Sequence, residues 1–210
     1  MDVTEPFVWR VHLDQPDGAR WAPLLSGPER DRAAALATPV ERRRFTVAHG
    51  VLRAVLGRLT GRPPAELVLD AEDNGRPFLV GRPVDFNLSH SAEWALIGAV
   101  GPHLRVGVDV EQVRDDLDHL AMARHLYQPA EVERLTRAAS PREEYFRLWC
   151  AKEAYVKATG EGLPGLRNAL VTHEGNATVG SSRSLRWIEV APGYAGAVVT
   201  TAGRPAPRTG

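Results

Sequence analysis

Two segments of this 210-residue chain share one layout, in which a long amphipathic helix ends at a glycine and strands follow. In the first segment, apolar residues recur at helical spacing from Phe45 to Leu59 and stop before Gly61. In the second, a similar pattern runs from Tyr145 to Gly160. This repetition predicts two similar halves with a ligand cleft between them. The alternative is a pair of unrelated amphipathic helices.

Local patterns predict the other elements. Alternation of apolar and polar residues predicts strands at residues 7–13, 84–88, 94–100, 106–110, 185–190 and 196–200. Residues 89–93 are predicted to form a polar turn, and residues 28–32 a polar connection. For the second long helix, we predict Ser140 as the N-cap, Pro141 as the first helical residue and Glu143 as the partner in a capping box.

Composition places the chain among folded globular proteins, with 43% hydrophobic and 25% charged residues. Its net charge of +0 argues against a protein that binds duplex nucleic acid, because such proteins usually carry a basic face. Cys150 is the single cysteine, which excludes an intrachain disulfide and fits a reducing cytosol. No apolar run approaches the roughly 18 residues that span a bilayer. We therefore predict a cytoplasmic protein with no nucleic-acid partner and no membrane segment.

Two carboxylates share one face of the strand predicted at residues 106–110. The three valines at 106, 108 and 110 point to one side, whereas Gly107, Asp109 and Glu111 point to the other. Because like charges repel, this pair calls for a cation between the two carboxylates. The alternative is that both form surface salt bridges on an edge strand.

The second long helix places a charged pair on an apolar face. At 100° per residue, Phe146, Trp149, Cys150, Glu153 and Lys157 fall in one sector roughly 100° wide. Together with the two strand carboxylates, this glutamate and lysine describe a site for a hard cation such as Mg²⁺, completed by substrate phosphates. The alternative is a buried pair that is satisfied internally.

Basic residues supply candidate contacts to phosphate. Among 26 lysines and arginines, only Lys152 and Lys157 are lysines, which marks positions that require a compact ammonium unless the pattern is chance. Arg44, His49 and Arg53 lie along the first long helix. Arginine suits phosphate because its fork donates two hydrogen bonds. The alternative is that these side chains are simply solvated.

Ser89 and His90 form another candidate contact. A serine-hydrolase role fails because adjacent residues of an extended segment point in opposite directions, and the Gly-x-Ser-x-Gly elbow is missing from the sequence. Both side chains can instead bind a ligand through the hydroxyl and the imidazole N–H. The alternative is a turn serine followed by a satisfied core histidine.

Four motifs, in this order, resemble those of the Sfp-type 4′-phosphopantetheinyl transferases whose two similar halves are fused in one chain. They are Gly75-Arg76-Pro77, Phe-Asn-x-Ser-His-Ser at 86–91, Gly-x-Asp-x-Glu at 107–111 and Trp-x-x-Lys-Glu-x-x-x-Lys at 149–157. The resemblance implies an α+β fold in which two α/β halves form a pseudo-dimer with the active site in the cleft. Residues 1–104 would contact coenzyme A, residues 105–201 would carry the metal and catalytic residues, and residues 202–210 would form a flexible tail.

The resemblance also implies a reaction. The 4′-phosphopantetheine arm of coenzyme A would pass to a serine of an apo acyl or peptidyl carrier protein and leave adenosine 3′,5′-bisphosphate. Mg²⁺, or Mn²⁺ in its place, would be held on the pyrophosphate by Asp109, Glu111 and Glu153. Lys157 would stabilise or protonate the leaving phosphate, and Glu153 would take the serine proton directly or through water. The enzyme would act as a monomer.

The expected contacts to coenzyme A involve both halves: Arg44, His49, Arg53, Arg76, Pro77, Ser89, His90, Lys152 and Lys157. His49 stands where many relatives carry an arginine, which implies a weaker, pH-dependent phosphate contact, or a substitution by Arg53 or Arg44. After the Asp-x-Glu strand, Leu120 and Met122 are expected to contact the carrier protein. The alternative is a short amphipathic helix that packs on its own domain.

Two other classes of function compete with this interpretation. The carboxylates alone would also serve a Mg²⁺-dependent hydrolase of nucleotide diphosphates, although the helical pattern best known for that class, in which paired glutamates follow Arg-Glu, is not reproduced around Arg142. A binding module without catalytic activity is the second alternative. Retention of all three carboxylates and Lys157 argues against it.

Overall fold

The structure, a computed structural model, describes residues 5–172, 178–182 and 184–203. Its helices are α1 (Gly27–Ala35), α2 (Pro39–Thr60), α3 (His119–Leu126), α4 (Pro129–Arg137), α5 (Pro141–Thr159) and α6 (Leu163–Asn168). Its strands are β1 (Phe7–His12), β2 (Leu69–Ala71), β3 (Pro77–Leu79), β4 (Asp85–Ser91), β5 (Trp94–Val100), β6 (Leu104–Gln112), β7 (Val171–Thr172), β8 (Thr178–Val179), β9 (Ser184–Trp187) and β10 (Tyr194–Ala202).

Two three-stranded antiparallel sheets each support one long helix. The first sheet has the order β1-β5-β4, and α2 buries Val47, Leu52 and Leu56 against it. The second has the order β6-β10-β9, and the core beneath it contains residues of α5 such as Phe146 and Ala154. The α+β fold class is confirmed, and this layout agrees with two similar halves.

A third hydrophobic cluster joins the two sheets. Its members are Leu96 and Val100 of β5, Val106, Val108 and Val110 of β6, and Val190 and Val198. The valines of β6 therefore point toward the first sheet, as the alternation predicts, which leaves Asp109 and Glu111 on the opposite side of the strand. The boundary between residues 104 and 105 stays a prediction. Ala202 is the last residue of β10, and residues 204–210 of the expected tail lie outside the described residues.

Both long helices end as their sequences predict, but the predicted capping box of α5 is wrong. Gly61 and Gly160 adopt left-handed conformations with φ values of 69° and 77°. Ser140 precedes α5, yet its side chain makes no cap hydrogen bond to the described residues. Its ψ of 87° lies well below the 167° and 152° of Ser26 and Thr38, whose capping boxes are formed.

Two further differences from prediction affect the site. Residues 28–32 belong to helix α1, which is capped by Ser26 and supplies Glu29 to the interior. Strand β4 continues to Ser91, so Ser89, His90 and Ser91 lie in a strand and not in a turn. The turn that follows contains Ala92, which has a positive φ of 49°.

Helix α3 packs on its own half. Leu120 and Met122 are partly buried against the core of the second sheet, and the hydroxyl of Tyr145 lies 3.9 Å from the sulfur of Met122. These contacts favour the amphipathic-helix alternative over a docking surface at these two residues. Within the described ranges, no helix combines the length and hydropathy that a bilayer span requires.

Candidate active site

Strands β4 and β6 lie side by side and are joined by side chains of β4. The backbone N–H of Val106 donates to Asp85 Oδ2 at 2.8 Å, that of Val108 to Asn87 Oδ1 at 2.9 Å, and that of Gln112 to Ser91 Oγ at 3.1 Å. Each of these β6 residues lies 21 positions after the β4 residue that it bonds, so the two strands run parallel in a fixed register. We call this junction, residues 85–91 and 106–112, the seam.

Asp109 lies in the seam and is only 3% exposed. Its Oδ1 accepts hydrogen bonds from Ser89 Oγ at 2.8 Å and from Lys157 Nζ at 2.5 Å. Its Oδ2 is buried without a hydrogen-bond partner among the described residues. A buried oxygen that carries negative charge and lacks a donor is costly, which indicates that a cation belongs beside Asp109.

Glu111 lies two residues further along β6 and is half-buried. Its Oε2 accepts a hydrogen bond from Ser91 Oγ at 2.9 Å. Burial and the negative charge of Asp109 raise the pKa of Glu111, whereas the Ser91 hydrogen bond opposes that shift. The two strand carboxylates are therefore close enough to repel one another, as the sequence predicts.

Helix α5 brings Glu153 and Lys157 to the same place because it packs unusually close to β6. A Cβ atom at Gly107 would overlap the carbonyl oxygen of Ala154 and lie 2.8 Å from the amide nitrogen of Ala158. Burial, followed by the charges of Asp109 and Glu111, raises the pKa of Glu153, although Lys157 opposes this shift. Burial lowers the pKa of Lys157, but the stronger combined influence of its carboxylate neighbours raises it.

The donor set fits a hard divalent cation. Asp109 has a buried oxygen with no hydrogen-bond partner among the described residues, and burial, followed by neighbouring negative charge, raises the pKa of Glu111 and of Glu153. In the described part of the chain, no group of three or more His, Cys, Asp or Glu side chains is already arranged to hold a metal. The Lys157 ammonium occupies Asp109 instead, so metal binding requires side-chain adjustment here.

Cationic groups gather beside the carboxylates. Partial burial, and then the positive groups of His49, Lys157 and Arg44, lower the pKa of His90. His49 stacks on Phe45 with ring centroids 3.9 Å apart, and its Nδ1 lies 3.4 Å from Glu29 Oε1. Arg44 makes two hydrogen bonds to Asp14, at 3.0 and 2.7 Å. Arg44 and His49 are therefore each paired with a carboxylate of the first half.

Two expected coenzyme contacts, Arg53 and Lys152, are corrected because both side chains are buried in ion pairs. Arg53 Nε donates to Glu29 Oε2 at 2.5 Å, and its Nη1 donates to the carbonyls of Pro64 and Leu67. Lys152 is fully buried, lies 2.9 Å from Glu131 and donates to the carbonyls of Leu166 and Ala169. Each side chain holds elements of its own half together.

Lys152→Met is expected to reduce the free energy of unfolding by about 3 kcal/mol, because it leaves the Glu131 carboxylate buried without its cation. Urea unfolding followed by circular dichroism measures this loss. Coenzyme binding by the folded fraction should match that of the unaltered protein. An unchanged urea midpoint together with weakened coenzyme binding would return Lys152 to the ligand site.

Arg76 bridges the halves instead of extending into solvent. It is 7% exposed and donates to Asp85 Oδ2 at 2.7 Å, to the carbonyls of Phe86 and Val106, and to the carbonyl of Lys157. The two terminal nitrogens of its guanidinium are thus engaged by protein acceptors, whereas Nε is buried with no hydrogen-bond partner among the described residues, and the coenzyme contact of Arg76 stays a prediction. Pro77 is exposed at the start of β3 and pairs with Ala71.

A cavity of about 1070 Å³ opens at the other end of the seam. Its walls come from both halves and include Glu72, Asn74, Asp85, Arg105 and Gly160. The three carboxylates do not line it. The site is therefore defined by the convergence of charged side chains rather than by this cavity.

Sequence patterns missed several residues of the site. Asp85, Asn87 and Ser91 make the seam, and Glu29 orients His49 and Arg53. The alternation of 85, 87, 89 and 91 within the Phe-Asn-x-Ser-His-Ser motif is the signal that could have placed them on one face of a longer strand. For Glu29, the signal is the Ser26-x-x-Glu29 capping box.

The fold and site define a two-sheet α+β protein whose acidic cluster and adjacent cations suit a phosphate-containing ligand. Comparison with known proteins gives the family. A profile of the 4′-phosphopantetheinyl transferase superfamily matches residues 105–198. The 4′-phosphopantetheinyl transferase HetI of Nostoc sp. is 38% identical over 170 residues, which cover 77% of this chain and 71% of that protein. The chain therefore belongs to the 4′-phosphopantetheinyl transferase superfamily.

Two further similarities complete the comparison. The 4′-phosphopantetheinyl transferase psf-1 of Bacillus pumilus is 31% identical over 163 residues, which cover 75% of this chain and 68% of that protein. A crystal structure of a Thermotoga maritima holo-acyl-carrier-protein synthase aligns with 48% of this chain and 64% of its own at 22% identity, with a TM-score of 0.39. The resemblance found in the motifs is confirmed at the level of the family, and the hydrolase alternative gains no support.

Proposed function

We propose that this protein transfers the 4′-phosphopantetheine arm of coenzyme A to a serine of an apo acyl or peptidyl carrier protein. The observation that carries the proposal is the buried Oδ2 of Asp109, which has no hydrogen-bond partner in the described part of the chain and lies beside two further carboxylates and the Lys157 ammonium. Family membership supports the reaction, and this cluster supports the proposed location of the active site.

Mg²⁺, with Mn²⁺ as a substitute, is proposed to bind Asp109, Glu111 and Glu153. When bound, the cation neutralises the pyrophosphate and makes its phosphorus more susceptible to attack. Asp109 offers Oδ2, which has no hydrogen-bond partner among the described residues, and Glu153 lies within the influence of the charges of Lys157, Asp109 and Glu111. Asp109 can therefore offer Oδ2 to a cation while Ser89 keeps its hydrogen bond to Oδ1, and the Lys157 ammonium must shift to admit the cation.

Lys157 is proposed to stabilise the leaving group. As the serine oxygen forms its bond to the β-phosphorus of coenzyme A, the phosphoanhydride bond breaks and negative charge develops on adenosine 3′,5′-bisphosphate. The raised pKa of Lys157 keeps the side chain charged at neutral pH, so its ammonium can meet that charge. Glu153 is proposed to take the serine proton, directly or through one water.

The adenosine bisphosphate end of coenzyme A is proposed to lie against Arg44, His49, Ser89 and His90. These side chains belong to the first half, where Ser89 bonds the Lys157 ammonium and the charges of His49, Lys157 and Arg44 act on His90. Ser89 links the proposed coenzyme contacts to the acidic cluster, because its hydroxyl donates to Asp109 and accepts from Lys157. We propose that the enzyme acts as a cytoplasmic monomer with no nucleic-acid or membrane partner.

Carrier-dependent release of adenosine 3′,5′-bisphosphate tests this function. The protein is incubated with coenzyme A and MgCl₂, with or without an apo carrier protein, and the nucleotide is measured by chromatography. We expect release only when the carrier is present, in an amount equal to the carrier modified. Release without any carrier would support the hydrolase instead.

Lys157→Ala is expected to lower kcat by about 100-fold, because the ammonium acts on charge that grows in the transition state. The KM for coenzyme A should change much less, and Lys157→Arg should restore little activity because a planar fork replaces a compact cation. Arg147→Ala, which removes an exposed cation from the same helix, is the matched control and should keep normal turnover. An unchanged kcat for Lys157→Ala would give the residue a structural role.

A further inference from the structure

The second serine of the Ser-His-Ser motif has no part in the reaction proposed above, yet its hydroxyl is fully engaged. Ser91 Oγ accepts a hydrogen bond from the backbone N–H of Gln112 at 3.1 Å and lies 2.9 Å from Glu111 Oε2. An amide N–H can only donate and an ionised carboxylate can only accept. The single hydroxyl proton of Ser91 therefore points to Glu111.

The same arrangement occurs two residues earlier in the seam. Ser89 Oγ donates to Asp109 Oδ1 at 2.8 Å and accepts from Lys157 Nζ at 3.0 Å. Both serines lie 20 positions before the carboxylate that they bind. Each serine takes one oxygen of its carboxylate, and the second oxygen of Asp109 has no partner among the described residues.

Strand register explains why the two pairs form together. Asn87 and Ser91 accept backbone N–H groups of β6, which prevents β4 from sliding along β6. A shift of one residue would turn both serines away from the two carboxylates. Ser91 therefore makes two interactions. Its oxygen accepts the Gln112 N–H, which fixes β4 against β6, and its hydroxyl proton is donated to Glu111.

We propose that Ser91 is a positioning residue that holds the Glu111 carboxylate in the orientation that binds the divalent cation. This inference rests on the metal site of the proposed function and adds a residue outside its ligands. Hydrogen-bond partners of metal-binding side chains typically change metal affinity about 10- to 100-fold when they are removed. Ser91 is expected to act through Glu111 and not by touching coenzyme A.

Calorimetric titration of MgCl₂ into the complex of the protein with coenzyme A tests the proposal. Ser91→Ala should weaken Mg²⁺ binding about 10-fold, whereas Ser91→Thr, which keeps a hydroxyl, should restore most of the affinity. Coenzyme affinity measured in EDTA should be the same for both variants and the unaltered protein. At saturating Mg²⁺, the kcat of Ser91→Ala should come close to that of the unaltered protein.

Ser184→Ala is the matched control, because Ser184 bonds Thr200 at 2.8 Å between two strands of the second sheet. This variant loses an interstrand hydroxyl bond and should bind Mg²⁺ normally. Equal Mg²⁺ affinity for Ser91→Ala and the unaltered protein, or an equal loss in Ser184→Ala, would overturn the positioning role. If the unaltered protein fails to bind Mg²⁺ with coenzyme A present, the metal site itself is wrong and the role of Ser91 falls with it.

Discussion

Asp109→Asn is expected to reduce the transfer rate by more than about 1000-fold at saturating coenzyme A. The substitution keeps the size of the side chain and an acceptor for Ser89, but it removes the negative charge of the buried oxygen that has no partner among the described residues. Loss of a charged metal ligand removes several kcal/mol of transition-state stabilisation. The rate of carrier modification, followed at several Mg²⁺ concentrations, measures this effect.

The same variant should be slightly less stable than the unaltered protein. Lys157 loses its carboxylate partner at 2.5 Å, and because the lysine is only partly buried we expect a loss of about 1–2 kcal/mol. Asp31→Asn, which removes an exposed carboxylate from α1, controls for the change in net charge. Near-normal turnover of Asp109→Asn would refute the metal site.

Gly107→Ala is expected to destabilise the fold by about 3 kcal/mol. The added methyl group would overlap the carbonyl oxygen of Ala154, and backbone atoms inside α5 cannot move aside as a flexible side chain can. Relief of the overlap requires α5 to move away from β6, which also separates Lys157 from Asp109. Urea unfolding measures the loss of stability, and the transfer rate of the folded fraction measures the separation.

Gly27→Ala provides the control for this substitution, because a Cβ atom at Gly27 meets nothing within 4 Å. Its urea midpoint should correspond to a change within about 0.5 kcal/mol. If Gly107→Ala unfolds at the same urea concentration as Gly27→Ala, then α5 and β6 are not in the close contact described above. The glycine of the Gly-x-Asp-x-Glu motif would then need another explanation.

The sequence predicts the parts of the site that depend on local periodicity. The two carboxylates of β6 fall on one face because strands alternate, and Glu153 and Lys157 share a helix face because they are four residues apart. The glycines that end α2 and α5 are equally local signals. These patterns need no knowledge of what packs against them.

Local patterns could not show interactions between residues that are distant in sequence. Arg53 and Lys152 are basic residues of the kind that binds phosphate. Their partners Glu29 and Glu131, however, lie more than 20 residues upstream and contact them only in the folded chain. The extent of β4 was underestimated for the same reason. Ser89 and Ser91 look like turn residues until β5 and β6 are present to pair with their strand.

Periodicity does not predict helix α1, because most of its residues are exposed. Helix α1 buries only Ala33 and leaves its remaining residues exposed or half-buried, so it has almost no apolar stripe. Its position is nevertheless important, because it delivers Glu29 to His49 and Arg53. Burial alone would raise the pKa of Glu29, but its hydrogen bonds to His49, Ser26 and Arg53 together outweigh burial and lower that pKa to about 2.

The intact mass of an apo carrier protein, measured after incubation with this protein, coenzyme A and MgCl₂, tests the central claim most directly. The account predicts that the carrier gains the mass of one phosphopantetheine group, that fragmentation places this group on a serine, and that Asp109→Asn protein gives no gain. An unchanged carrier mass with several acyl and peptidyl carrier proteins, while coenzyme A is hydrolysed or left intact, would contradict it.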